Sequence, residues 1–114
     1  MSEFMLLMRG AQTGFLAMSE AEQKEIINQH MNWAKELAEK GILINGAGLS
    51  NETVLLAPSD NGIKQTKQPF VGTDNELSGF YLIKAENLQK AIEIAHNCPA
   101  LRQGESVEVV PFGH

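Results

Sequence analysis

The chain has 114 residues, 43% of them hydrophobic, 20% charged and 6% aromatic, the usage of one ordinary globular domain rather than of a disordered, collagen-like or disulfide-scaffolded chain. Nine Lys and Arg against 14 Asp and Glu leave a net charge of −5 with neutral histidines, which speaks against general binding to nucleic acid or to an anionic membrane surface. Cys98 is the single cysteine, so no intrachain disulfide can form.

The start, Met1-Ser2-Glu3, lacks the positive charge of a signal peptide, and no apolar run approaches the roughly 20 residues that span a bilayer. The expectation is a cytoplasmic protein with one domain over residues 1–114. Glu3–Met8 is short and almost continuously apolar, the pattern of a strand buried on both faces. Arg9–Met18, with Gly10 and Gly14, reads as a loop. Ser19 and Glu22 have capping-box spacing and open a helix that runs to about Lys40 and stops at Gly41. Its apolar stripe is Ile27, His30 and Met31, Ala34, Leu37 and Ala38, widened on one side by Ile26 and Trp33.

Ile42–Leu49 is a second strand. Its Asn45-Gly46-Ala47-Gly48 core signals a bulge or a close backbone approach. Glu52–Ala57 is a third, and Asn61-Gly62 predicts a type I′ turn that folds Ile63–Lys67 back on it. Pro69–Gly72 crosses irregularly. Leu77–Lys84 is the most strand-like segment. Asn87 caps a second helix, Leu88–Cys98, with Leu88, Ala91, Ile92, Ala95 and Cys98 inward; Pro99 ends it. Ser106–Phe112 closes the chain as a strand.

This order is an α+β, ferredoxin-like split βαβ plan with an added hairpin and an antiparallel sheet carrying two helices on one face. The strands are apolar on both faces: Phe4, Leu6 and Met8 alternate with Met5 and Leu7, and Tyr81 and Ile83 with Phe80 and Leu82. Burying one Leu or Phe side chain contributes about 1.5–3 kcal/mol, so a bare sheet face forfeits several such terms. The expected partner is a second copy, sheet packed on sheet. A compact monomer of 12.5 kDa exposes roughly 6,200 Å², about one-third of the extended chain's surface.

The run Leu77-Ser78-Gly79-Phe80-Tyr81-Leu82-Ile83-Lys84-Ala85-Glu86-Asn87-Leu88, followed by Ala91–Ala95 and Cys98-Pro99, resembles the YCII-related family, and more closely its DGPF-domain branch. Phe4–Met8, Gly46-Ala47-Gly48-Leu49, Pro69-Phe70 and Ser106–Val109 extend the resemblance over nearly the whole chain. It implies a dimeric α+β barrel. Family activity is largely unassigned, with a His/Asp cleft proposed as an active site in relatives. His30 sits where the branch commonly places a histidine. Lys67-Gln68 stand in place of the motif's Asp-Gly, so the motif acid is absent and Asp74 is its nearest substitute.

His30, at the edge of the helix stripe, is the candidate general acid/base, with Asp74 to orient it. Trp33 and Tyr81 are candidate pocket walls, and Arg9 a candidate partner for an anionic group. The competing readings are ordinary ones: a hydrogen-bonded histidine, core aromatics and solvated charges. Cys98 on the buried stripe is no activated thiol. Gly46-Ala47-Gly48 lacks the third glycine and the helix of a dinucleotide fingerprint. His30, His96 and His114 have no zinc-ligand spacing. No metal or cofactor is expected. Three functions fit: a small-molecule-binding module, a cofactor-independent enzyme, and a structural dimer domain serving an enzyme.

Overall fold

A computed structural model describes residues 1–113; His114 lies outside the described residues. The elements follow as β1 (Ser2–Arg9), a single helical turn α1 (Thr13–Leu16), α2 (Glu20–Glu39), β2 (Leu43–Gly48), β3 (Val54–Ser59), β4 (Gly62–Lys67), β5 (Leu77–Ala85), α3 (Leu88–Ala95), a 3-10 turn (Pro99–Gln103) and β6 (Ser106–Pro111). The main sheet has the order β2-β5-β1-β6, antiparallel throughout, and β3-β4 form a separate hairpin. This is the expected ferredoxin-like α+β plan with its inserted hairpin.

Local chemistry sets the long helix. Ser19 Oγ accepts the Glu22 N–H while Glu22 Oε1 accepts the Ser19 N–H, so the capping box is complete. At the other end Gly41 has φ 72°. Its N–H donates to Ala38 O, and that of Ile42 to Leu37 O, the paired bonds of a Schellman terminus. A side chain at position 41 would strain that left-handed backbone.

The inward stripe of α2 differs from the expected one. Trp33 and Leu37 are buried, whereas Ile27 and Met31 are exposed. The helix therefore rests on Ile26, His30, Trp33 and Leu37, about one position round from the expected stripe. The expected centre looks along the sheet rather than onto it, and Ile27 and Met31 border open space there. The second helix is shorter than expected. Cys98 is already extended (φ −62°, ψ 126°) because the ring of Pro99 disfavours helix in the residue before it. Leu88, expected inward, is exposed.

The hairpin turn also differs. Ser59 pairs with Gly62, so Asp60 and Asn61 are the loop. Among the described residues Gln68 is the only non-glycine with positive φ. A type I′ turn needs positive φ at both central positions; here Gly62, at φ 111°, takes the left-handed step after two ordinary residues.

One face of the sheet is a core. Phe4, Leu6 and Met8 of β1 and Tyr81, Ile83 and Ala85 of β5 pack under Trp33, Leu37, Ala91 and Ala95. The other face, with Met5, Leu7, Phe80, Leu82 and Val110, carries no helix, and these side chains are half-buried only. The hairpin stands off the body with Val54, Leu55, Leu56 and Ile63 exposed. The chain is a slab of 49 × 42 × 18 Å that exposes 7661 Å², about 1,500 Å² above the roughly 6,200 Å² of a compact monomer of its mass. No helix of the described residues is long and apolar enough to cross a membrane.

The observed stripe makes a direct prediction. Leu37→Ala should lower the unfolding free energy by about 2–5 kcal/mol. Met31→Ala, six residues earlier on the same helix but 63% exposed, should change it by less than about 0.5 kcal/mol. Urea denaturation of both variants checks the difference.

Candidate functional site

A cleft of about 620 Å³ opens between the first half of α2, the end of β2, and the segments around Gly10, Asp74 and Gly104. That volume is in the range of small-molecule sites. Its walls are mostly apolar, and three of the five expected site residues border it: His30, Tyr81 and Asp74.

Tyr81 is placed by β5. Its ring is buried on the helix side, edge-on to Trp33 at 4.9 Å and 89°. Its other edge lies on the backbone of β2: a Cβ built on Gly46 would stand 2.9 Å from Tyr81 Cδ1. The glycine that interrupts the second strand is thus a seat for an aromatic ring, and the register shift between Leu43 and Asn45 is the accompanying bulge.

The Tyr81 hydroxyl lies 2.7 Å from His30 Nδ1, and His30 Nε2 lies 3.2 Å from Gln103 Oε1. Gln103 Nε2 donates in turn to Gln29 Oε1 at 3.4 Å. With neutral imidazole, Tyr81 donates to Nδ1 and Nε2–H donates to Gln103. With imidazolium, both ring N–H groups donate, and the Tyr81 hydroxyl turns to the His30 carbonyl, 3.5 Å away. Either protonation state of His30 therefore finds partners after rotation of one hydroxyl, which suits a group that takes up and releases a proton.

Burial pushes the ionisation of Tyr81 well above its ordinary value, and the nearby Cys98 sulfur adds to the shift. The hydroxyl is a neutral donor or acceptor at physiological pH. Burial likewise pushes the Cys98 thiol up, with Glu105 adding to it and the Ala100 N–H and Arg102 opposing. A buried thiol of that kind is a poor nucleophile.

Asp74 sits on the rim, on a loop clamped by the buried Glu76. Glu76 Oε1 accepts the Gly72 N–H at 2.8 Å, and its carbonyl accepts the Gly10 N–H at 2.9 Å. The structure does not pair Asp74 with His30, whose ring nitrogens face Tyr81 and Gln103. Trp33 supports Tyr81 from behind and borders a different, more polar cleft. Arg9 is on the open sheet face, 2.6 Å from Glu108 across the β1–β6 pair, and does not border the His30 cleft.

Gln103 and Glu105 were not singled out from the sequence. Gln103 is the last residue of the 3-10 turn that Pro99 starts and Gly104 ends at φ 81°, and Glu105 follows it. Proline at a first helical position and glycine just past a last one is the legible sign of such a turn. Glu105 Oε1 accepts from Ser78 Oγ at 2.6 Å and borders the cleft. Among the described residues no group of three or more His, Cys, Asp or Glu is arranged to hold a metal.

A family model, the YCII-related domain, matches residues 3–113. The chain therefore belongs to the YCII-related family. No curated protein matches it.

Tyr81 is the only tyrosine, so phenolate absorbance near 295 nm reports this site alone. In the folded protein no phenolate should form as the pH passes 10, the ordinary phenol value. The unfolded chain ionises there, so stability should fall as pH rises from about 10 toward the raised folded value. Tyr81→Phe should lose that component of the fall.

Proposed function

We propose that this member of the YCII-related family is a homodimer that binds a small molecule in the His30–Tyr81 cleft. The observation that carries the reading is the convergence of His30, Tyr81 and Gln103, drawn from three separate elements, into one hydrogen-bonded chain at the wall of an apolar cleft. A core needs no such chain. Few, well-positioned polar groups in a mostly apolar cavity are what a ligand site needs.

Area and polarity support this assembly. The surplus exposure of the chain, about 1,500 Å², exceeds the roughly 800 Å² per partner of a standard interface. The open sheet face offers Met5, Leu7, Phe80, Leu82 and Val110 as its centre. A second copy packed there, sheet on sheet, closes the dimeric α+β barrel.

A second reading has its own support. The Tyr81–His30 pair tolerates both protonation states, so His30 is suited to act as a general acid/base on a bound substrate, without a cofactor. The acid would reach the substrate through Nε2, after Gln103 yields its place. Asp74 on the rim would contact ligand rather than orient the imidazole.

Two measurements test these readings. Light scattering should give twice the 12.5 kDa chain mass, and Leu82→Lys should give a folded monomer; wild-type monomer at micromolar concentration contradicts the dimer. In an NMR fragment screen, hits should perturb amides around Ile27, Met31 and Gly46. His30→Ala should weaken them at least tenfold, or about 1.4 kcal/mol. Hits elsewhere, or an indifferent His30→Ala, would favour a purely structural module.

A further inference from the structure

The charge of the cleft narrows what it can hold. No lysine or arginine borders it, while two carboxylates, Asp74 and Glu105, do. Neither is neutralised: the side-chain ion pairs of the described residues are Arg9–Glu108, Lys40–Glu36 and Lys90–Glu93. Glu105 uses Oε1 to accept from Ser78 and directs no bond from Oε2 to a described residue. Arg9, the basic residue that would have suited an anionic ligand, is spent on Glu108 on the other face of the sheet. The whole chain adds to this field with its net charge of −5.

The rest of the wall agrees with the sign of the charge. Met8, Met18, Met31 and Phe15 form much of its apolar lining. Thioethers are soft and adapt to different shapes, and an aromatic face attracts a cation. The neutral Tyr81 hydroxyl and the Gln103 amide supply uncharged hydrogen-bonding groups at the inner end. A carboxylate or phosphate entering such a cleft meets two carboxylates and no lysine or arginine, which opposes its binding. An ammonium group meets two acceptors.

Building on the reading of the cleft as a ligand site, we propose that it selects small organic cations: a primary or secondary amine on an apolar body of one ring or a short chain. The apolar body lies against the methionines and Phe15, and the ammonium group lies at the Asp74–Glu105 rim. The carboxylates confer selectivity by charge, and the His30–Tyr81 pair fixes orientation.

The test is a matched series with one apolar body: phenethylamine, phenethyl alcohol and 3-phenylpropionate, titrated into the full-length protein and followed by backbone amide shifts. The amine should bind at least tenfold more tightly than the alcohol and the carboxylate, with shifts at the cleft. The isosteric double variant Asp74→Asn, Glu105→Gln should bring the amine to the level at which the same variant binds the alcohol. An alcohol or carboxylate that binds the cleft as well as the amine overturns the charge selectivity and leaves the ligand site standing. The same holds for an amine preference that survives the double variant. If none of the three perturbs the cleft at millimolar concentration, this inference fails together with the ligand-site reading.

Discussion

Tyr81 joins the hydrophobic core to the cleft, and the hydrogen bond from its hydroxyl to His30 is the contact on which the site depends. The ring is held on three sides: the edge of Trp33, the bare backbone of Gly46 and the sheet beneath. Such a side chain has one rotamer and one place for its oxygen. His30 inherits its position from that oxygen at 2.7 Å, and Gln103 inherits its position from His30. Burial keeps the phenol neutral, so the contact remains a hydrogen bond rather than an ion pair over the ordinary pH range. Substituting Gly46 would therefore reach the imidazole without touching it.

The sheet sets the second constraint. Its helix-covered face is a closed core, while its other face exposes alternate residues of the same strands. The period of two makes this unavoidable: strands apolar at every position serve two layers or leave one wet. A slab 18 Å thick holds one sheet and one layer of helices, with no room for a second covering layer from the same chain. The proposed dimer supplies that layer, and the surplus of exposed area measures how much is left for it to cover.

Much of this was legible in the residues. The capping box at Ser19 and Glu22, the stop at Gly41, the hairpin, the strand at Leu77–Lys84 and the close approach at Gly46 each rest on short-range chemistry, which a sequence displays directly. What depended on distant pairing was not legible. Arg9 meets Glu108 across nearly the whole chain, so its removal from the cleft follows from strand order rather than from its neighbours. The helix stripe was read one position off because apolar residues facing a cleft and apolar residues facing a sheet have the same spacing. Ile27 and Met31 border the cleft, and hydrophobicity alone does not separate the two roles. Gln103 ends, and Glu105 follows, a five-residue turn of which only the opening proline was read, as the stop of the second helix.

With Gln103 Oε1 as the acceptor beyond Nε2, Tyr81 holds His30 by donating to Nδ1, which leaves the proton of the neutral imidazole on Nε2 toward Gln103. The 15N spectrum of the histidine side chains at alkaline pH measures this directly, with the exposed His96 as an internal reference. His30 should show an unprotonated, hydrogen-bonded Nδ1 and a protonated Nε2, and Tyr81→Phe should remove this preference. A His30 that carries its proton on Nδ1, or that averages between tautomers, would contradict this.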